Sequence, residues 1–339
     1  MTKVTVKDVA RRAGVHPATV SRALNPATSG LVRPDTVRRV RQAAKALGYR
    51  PNPAARTLRT SRTHTVGMLI PDLTNPLFPP IVRGAESVLE ARGYTVLVVN
   101  TDDDRDKQAT LLTALADRRV DGLIVCTAWR EDAALAATTS PLVLVSRAID
   151  GVALPKVLAD DAEGVGLSVA HLASLGHRRI AYLAGPGETS PGLVRLRAFR
   201  QAMADHGLPQ NPRLTVECAG WSERHGAAAL AALLDGGERF TAVMAGNDLL
   251  ALGCLDTMAA RGLSCPDDLS LVGFNDMPYA GRLSPPLTTV TVPRRELGAE
   301  AGRLLIERIE GSDTPVKAVT LPVTLAARGS TAPCSDISP

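Results

Sequence analysis

Nowhere do the 339 residues contain the roughly 18 uninterrupted apolar side chains that a membrane span needs. The opening stretch MTKVTVKDVARRAG scatters its charges and holds no apolar run of signal-peptide length, so a cytoplasmic protein without a membrane partner is expected. Cysteine is scarce: Cys126, Cys218, Cys254, Cys265 and Cys334 are odd in number, far apart and never in a C-x-x-C pair. That argues against a disulfide framework and a zinc site, and all five read as unpaired thiols. The six histidines, His16, His64, His171, His177, His206 and His225, nowhere have metal-ligand spacing, and neither H-E-x-x-H nor a G-x-S-x-G elbow occurs. GPGETSPG at 185–192 lacks the third glycine of a dinucleotide fingerprint and the lysine of a P-loop, and reads as a turn. The carboxylates of DDD at 102–104 stand at a strand end before a helix start, where the helix dipole favours solvated negative charge. No catalytic residue, cofactor or metal is expected, and the chain reads as a non-enzyme.

Acidic residues are nearly missing from one region. Residues 1–62 hold 14 Lys and Arg against only Asp8 and Asp35, a balance of +12, while the rest of the chain holds 25 basic and 32 acidic residues, a balance of −7. A basic head on an acidic body is the electrostatic footprint of a phosphate-backbone binder.

The head reads as helices without strands. Thr5 and Asp8 form a capping-box pattern, and Val6, Val9, Ala10 and Ala13 recur at helical spacing, predicting a first helix over 6–13. Gly14 permits a tight turn, Pro17 suits the first position of a second helix, and Val20, Ala23 and Leu24 give that helix an apolar face. A small residue at the crossing, a glycine at the reversal and a valine locking the second helix together describe a helix-turn-helix. A third helix is expected from Pro34 to Leu47. From Thr65 the texture changes: VGMLIPD, TVLVVN, DGLIVCT and PLVLVS alternate with amphipathic helices, and RIAYLAG, TAVMAG and LSLVGFN repeat the pattern. Two β-α-β series imply two doubly wound parallel sheets with a cleft between them. The closing segments are too few for a third lobe and are expected to return and complete the first two.

The ordered set TVKDVARRAGVHPATVSRALN, ALGYRPNPAARTLRTSRTHTVGMLIPDLTNPLF, LGHRRIAYLAGP, RLRAFRQAM, AVMAGNDLLALG, LSLVGFNDMP, PPLTTV and LPVTLAARGSTAP closely resembles the lactose repressor and galactose repressor family of bacterial transcription regulators. The resemblance covers nearly the whole chain. It implies an all-α helix-turn-helix head plus an α/β two-lobed, periplasmic-binding-protein-like body. The domains expected are a DNA-binding head over 1–50, a hinge helix or linker over 51–64, and an effector-binding and dimerisation body over 65–330. Lobe 1 would take about 65–158 and 291–318, lobe 2 about 159–290 and 319–330, with a tail over 331–339.

The resemblance also implies site residues. Pro17, Ala18, Thr19, Ser21 and Arg22 would face the major groove, with Asn25 and Tyr49 near the DNA backbone, Thr5 also at the DNA, and His16 either capping the helix or contacting phosphate. His16 stands where the family most often has serine, and the loop PATSGL is about two residues longer than usual. In the hinge, Asn52, Ala55, Leu58 and Arg59 would contact DNA, two copies of the segment packing as short helices in the minor groove with Leu58 as an apolar wedge between base steps and Arg59 beside the phosphates. Leu77 and Phe78 from the first lobe and Arg195, Trp221, Asn247 and Asn275 from the second would line an effector cleft, with Ser146 and Pro191 beside them. Asn275 and Ser146 stand where many members have aspartate, and Pro191 where some have a hydroxyl residue. The partners implied are double-stranded operator DNA, a small-molecule effector of sugar type, and a second copy of the chain. The segment after Arg328, GSTAPCSDISP, has no leucine-rich heptads, so a homodimer rather than a tetramer is expected. Two rival readings are an exported sugar-binding transport protein, disfavoured by the basic head, and an α/β enzyme with an appended DNA-binding domain.

Overall fold

The computed structural model describes residues 4–24, 28–49, 62–311 and 315–334. It separates into two units, Met1–Thr63 and His64–Pro339.

The first unit contains α1 (Val6–Ala13), α2 (Pro17–Leu24), a single 3-10 turn at Ser29–Leu31 and α3 (Pro34–Ala46). Thr5 opens α1: its backbone N–H and hydroxyl both donate to the Asp8 carboxylate, at 3.0 and 2.7 Å. Those bonds hold the Asp8 carboxyl below the usual carboxylate range. At Gly14, φ is +64°, a left-handed conformation that a side chain would strain, and the next N–H, of Val15, donates to the Ala10 carbonyl at 3.1 Å. Val9, Ala10, Ala13, Val20, Ala23, Val40, Ala43 and Ala44 close a core of small side chains between the three helices. Each fully buried valine there contributes roughly 1.5–3 kcal/mol.

The second unit is built on two six-stranded sheets. In the order of pairing, the first runs β11-β5-β4-β3-β1-β2, comprising β1 (Thr65–Ile70), β2 (Thr95–Asn100), β3 (Gly122–Val125), β4 (Leu142–Val145), β5 (Lys156–Ala159) and β11 (Ala318–Leu321). The second runs β12-β10-β9-β8-β6-β7, comprising β6 (Ile180–Ala184), β7 (Thr215–Glu217), β8 (Ala242–Ala245), β9 (Ser270–Asn275), β10 (Thr288–Thr291) and β12 (Thr324–Ala326). All pairs are parallel except β12 against β10. Strands such as GLIV, LVLV and AVMA are buried along their whole length, because helices cover both faces of a parallel sheet. The helices are α4 (Phe78–Ala91), α5 (Arg105–Asp117), α6 (Ala133–Ala136), α7 (Asp161–Ser174), α8 (Ser190–Asp205), α9 (Glu223–Asp235), α10 (Asp248–Ala260) and α11 (Arg294–Ile309).

The chain passes between the sheets three times, after β5, after β10 and after β11. The last passage differs from the expectation drawn at 318: Ala318–Leu321 pairs residue for residue with Lys156–Ala159, which carries the first lobe to Leu321. No helix among the described residues is long and apolar enough to cross a membrane.

Candidate functional site

In the first unit, α2 presents two faces. Val20 and Ala23 are buried; Ala18 and Arg22 are exposed, and Pro17, Thr19 and Ser21 are half-buried. His16 is exposed and caps the helix: its Nδ1 accepts the N–H of Ala18 at 3.2 Å, the bond that a serine at this place would also make. Histidine here therefore keeps the cap that the family's serine supplies. Tyr49 is half-buried against the three-helix core, and burial pushes its phenol pKa up. Thr5 spends its hydroxyl on Asp8. The expected DNA contacts Asn25, Asn52, Ala55, Leu58 and Arg59 lie outside the described residues, as does most of the expected hinge.

In the second unit a cleft of about 540 Å³ opens between the two sheets. Its walls come from the C-terminal ends of parallel strands, where open α/β sheets gather ligands: Pro71 after β1, Asp103 after β2, Ser146 after β4, Pro186 after β6, Asn247 after β8 and Asn275 ending β9. All eight residues expected at an effector line this one cavity: Leu77, Phe78, Ser146, Pro191, Arg195, Trp221, Asn247 and Asn275. Backbone strain gathers on the same rim, with φ of +51° at Asp103, +56° at Ser146 and +110° at Asn275.

Arg195 is almost fully buried. Its Nε and Nη2 donate to Asp161 Oδ1 at 2.9 and 2.7 Å, Nη1 donates to the Gly246 carbonyl at 2.6 Å, and its guanidinium lies 3.7 Å from the Phe274 ring centroid. Three of its N–H groups are thus held by the protein. Trp221 lies against bare backbone: a Cβ at Gly185 would stand 2.0 Å from its Cη2, so only glycine leaves room for the indole. Asn247 divides its amide, Oδ1 accepting the Leu250 N–H at 2.8 Å to cap α10 and Nδ2 donating to the Trp221 carbonyl at 3.1 Å. It holds the tryptophan loop as well as facing the cavity. The Oδ1 of Asn275 is buried and finds no hydrogen-bond partner among the described residues.

The structure adds groups that sequence reasoning passed over. Of the DDD run, Asp104 caps α5 by accepting the Lys107 N–H at 2.7 Å and Asp102 pairs with Lys107, while Asp102 and Asp103 both line the cleft, where Asp103 faces Arg147 at 3.4 Å. Burial pushes the Asp103 carboxyl pKa up against the pull of Arg147, and lowers that of the Arg147 guanidinium. Asp72, Trp129, Asp161, Glu188 and His225 also line the cavity. The signal for Asp103 was its place at a strand end, shared with Ser146. GPGETSPG is also more than a turn. The Arg130 N–H donates to the Glu188 carbonyl at 2.9 Å, Arg130 Nη1 to the Gly187 carbonyl at 3.2 Å, and the Ala148 N–H to Ser190 Oγ at 2.8 Å. These bonds clasp first-lobe loops to the second lobe along one flank of the cleft. No group of His, Cys, Asp and Glu among the described residues could hold a metal ion.

The sequence matches two family descriptions: bacterial regulatory proteins, lacI family, over residues 5–52, and periplasmic binding protein-like domain over residues 169–331. The HTH-type transcriptional repressor PurR of Aliivibrio fischeri (strain MJ11) is 34% identical over 317 residues, covering 91% of this chain and 93% of that protein. Among solved structures, the lac repressor dimer bound to operator and the anti-inducer ONPF matches with a TM-score of 0.86 at 29% identity, over 98% of this chain and 100% of that one. The transcriptional regulator CelR–cellobiose complex matches with a TM-score of 0.74 at 32% identity, over 97% and 100% of the respective chains. A basic helix-turn-helix unit followed by a two-sheet body with an interlobe cleft, in a chain so similar to a transcriptional repressor over nearly its full length, belongs to the lacI family of bacterial regulatory proteins.

Proposed function

We propose that this chain is a transcriptional repressor that binds a pseudo-palindromic operator as a homodimer and changes its grip when a carbohydrate or related small molecule occupies the cleft. One observation carries the reading: eight side chains scattered from Leu77 to Asn275 converge on a single cavity, in the chain that also bears the basic helix-turn-helix. The exposed face of α2, with Ala18 and Arg22, would enter the major groove while the exposed arginines of α1 and α3 meet phosphates. Protein two-fold symmetry would match the symmetry of the two half-sites. The relative named a transcriptional repressor and the neighbours solved with operator or with cellobiose support both halves of the proposal.

Ligand in the cleft would bind both lobes, alter the angle between them and thereby the spacing of the two reading heads, a coupling of about 1–3 kcal/mol. The clasp formed by Arg130, Ala148 and the 187–190 turn is the part of the body placed to resist that change. The reading includes a cytoplasmic, non-enzymatic protein. It is tested by fluorescence anisotropy of the purified chain on candidate operator fragments, with and without a carbohydrate panel. Operator binding that responds to a sugar recovered unchanged supports it; no DNA affinity at low salt, or turnover of the sugar, defeats it.

A further inference from the structure

We infer that the cleft selects an uncharged, polyhydroxylated ligand and excludes anionic ones, with the Asp103–Arg147 pair setting that choice. The inference rests on the cleft being the effector site.

An anionic ligand brings acceptors only, and it needs a cation with a free fork. The cleft has two arginines, and both are already engaged by carboxylates. Arg195 gives Nε and Nη2 to Asp161 and Nη1 to the Gly246 carbonyl, with its face on Phe274. Arg147, with its side chain only 5% exposed, faces Asp103 at 3.4 Å and the Ala128 carbonyl at 3.5 Å. Asp72 and Glu188 stand near enough to Asp103 to add to its negative field. The lining carboxylates, Asp72, Asp102, Asp103, Asp161 and Glu188, outnumber its two arginines, so the field in the cleft opposes an anion and leaves a neutral ligand unopposed.

A second observation points the same way. Asn275 is 4% exposed, lines the cleft and carries no charge for an anion to pair with, while its Oδ1 is buried without a partner among the described residues. A hydroxyl both donates and accepts, so a polyol meets carboxylates, the amide and the two remaining Arg195 N–H groups together. The Trp221 indole, seated on Gly185, offers an apolar face to the C–H side of a sugar ring. Although Ser146 and Asn275 carry no carboxylate, Asp72 and Asp103 bring two to the cleft from other strand ends.

The test is calorimetry on the full chain with neutral probes (D-glucose, D-galactose, D-ribose and cellobiose) beside charged ones (glucose 6-phosphate, ribose 5-phosphate and glucuronate). At least one neutral sugar should bind, with its charged counterpart about 100-fold weaker or more, as expected for an uncompensated like charge in a partly buried site. Asp103→Asn, whose side chain tolerates the left-handed backbone there, frees Arg147; it should weaken the neutral sugar and tighten the charged one. Glu188→Gln, on an exposed side chain, should move the ratio in the same direction even if the first variant folds poorly. A charged sugar that binds as tightly as its neutral counterpart, with binding lost in Trp221→Ala, overturns the selectivity but keeps the cleft as effector site. Binding that Trp221→Ala leaves unchanged overturns the cleft reading itself. No binder in the panel, or a ratio unmoved in both carboxylate variants, overturns the inference.

Discussion

Removing Arg195 should weaken the second unit before it says anything about effector. The Arg195 and Asp161 side chains are only 8% and 16% exposed, and they share two N–H···O bonds of 2.9 and 2.7 Å to one oxygen. Stranding one member of a buried pair costs about 3–5 kcal/mol. For a unit as long as His64–Pro339 the unfolding entropy is roughly 0.6 kcal/mol per kelvin, so Arg195→Ala should lower Tm by about 5–9 °C. The deficit should grow with pH. Burial already raises the Asp161 carboxyl, and without the arginine it rises further. The native state then holds a proton that the unfolded chain gives up, and stability falls as pH climbs through that window. Asp161→Asn in the same background removes the stranded charge, so the double variant should fall short of the summed losses by about 2 °C or more. Scanning calorimetry of the two single variants and the double checks all three statements. Additive losses, or a single-variant shift below about 1 °C, would refute the reasoning that a buried, desolvated pair holds this part of the lobe together. It follows that Arg195→Ala is a poor probe of ligand contact alone.

Gly185→Ala places a methyl where the Trp221 ring lies, and should cut ligand affinity at least about 10-fold while operator affinity stays unchanged; titration calorimetry and anisotropy measure the two. His16→Ala removes the α2 cap and should cost about 1 kcal/mol of local stability, read as faster hydrogen exchange in α2, whereas His16→Ser should restore protection. Burial pushes the Asp248 carboxyl up to about 7, so the native state binds a proton the unfolded state loses and this group makes stability fall as pH rises toward 7. In Asp248→Asn the decline in Tm between pH 5 and pH 8 should shrink; parallel profiles would show that Asp248 does not titrate there. Leu58→Ala should reduce operator affinity by about 10-fold or more if a leucine wedge opens a base step, and an unchanged binding isotherm rejects the wedge.

The fold was legible because its signals are local. Helical spacing in VKDVARRA, a glycine at 14 and a proline at 17 specify the head without help from the rest of the chain. Fully apolar runs such as LVLV and AVMA can only be central parallel strands once helices alternate with them. The departure at β11 is equally physical: Val319–Leu321 carries no mark of which sheet it joins, and its pairing with β5 decides. At the cleft, the residues carried over from the family pattern converge, but their duties were not legible. Asn247 is as much a cap and a brace for Trp221 as a cleft wall, and Arg195 is largely spent on Asp161 and Gly246.

By itself the sequence determined a basic three-helix head, two parallel sheets and the side chains available between them, since charge balance, periodicity and turn residues act within a few positions of one another. Only the tertiary structure decided that Asp103 meets Arg147 across 44 residues, that Arg130 grips the 187–190 turn, and that Trp221 rests on Gly185. Each of those contacts joins loops that follow different strands: the first and last depend on which strands lie side by side within one sheet, the Arg130 grip on how the two lobes close, and spacing along the chain encodes neither.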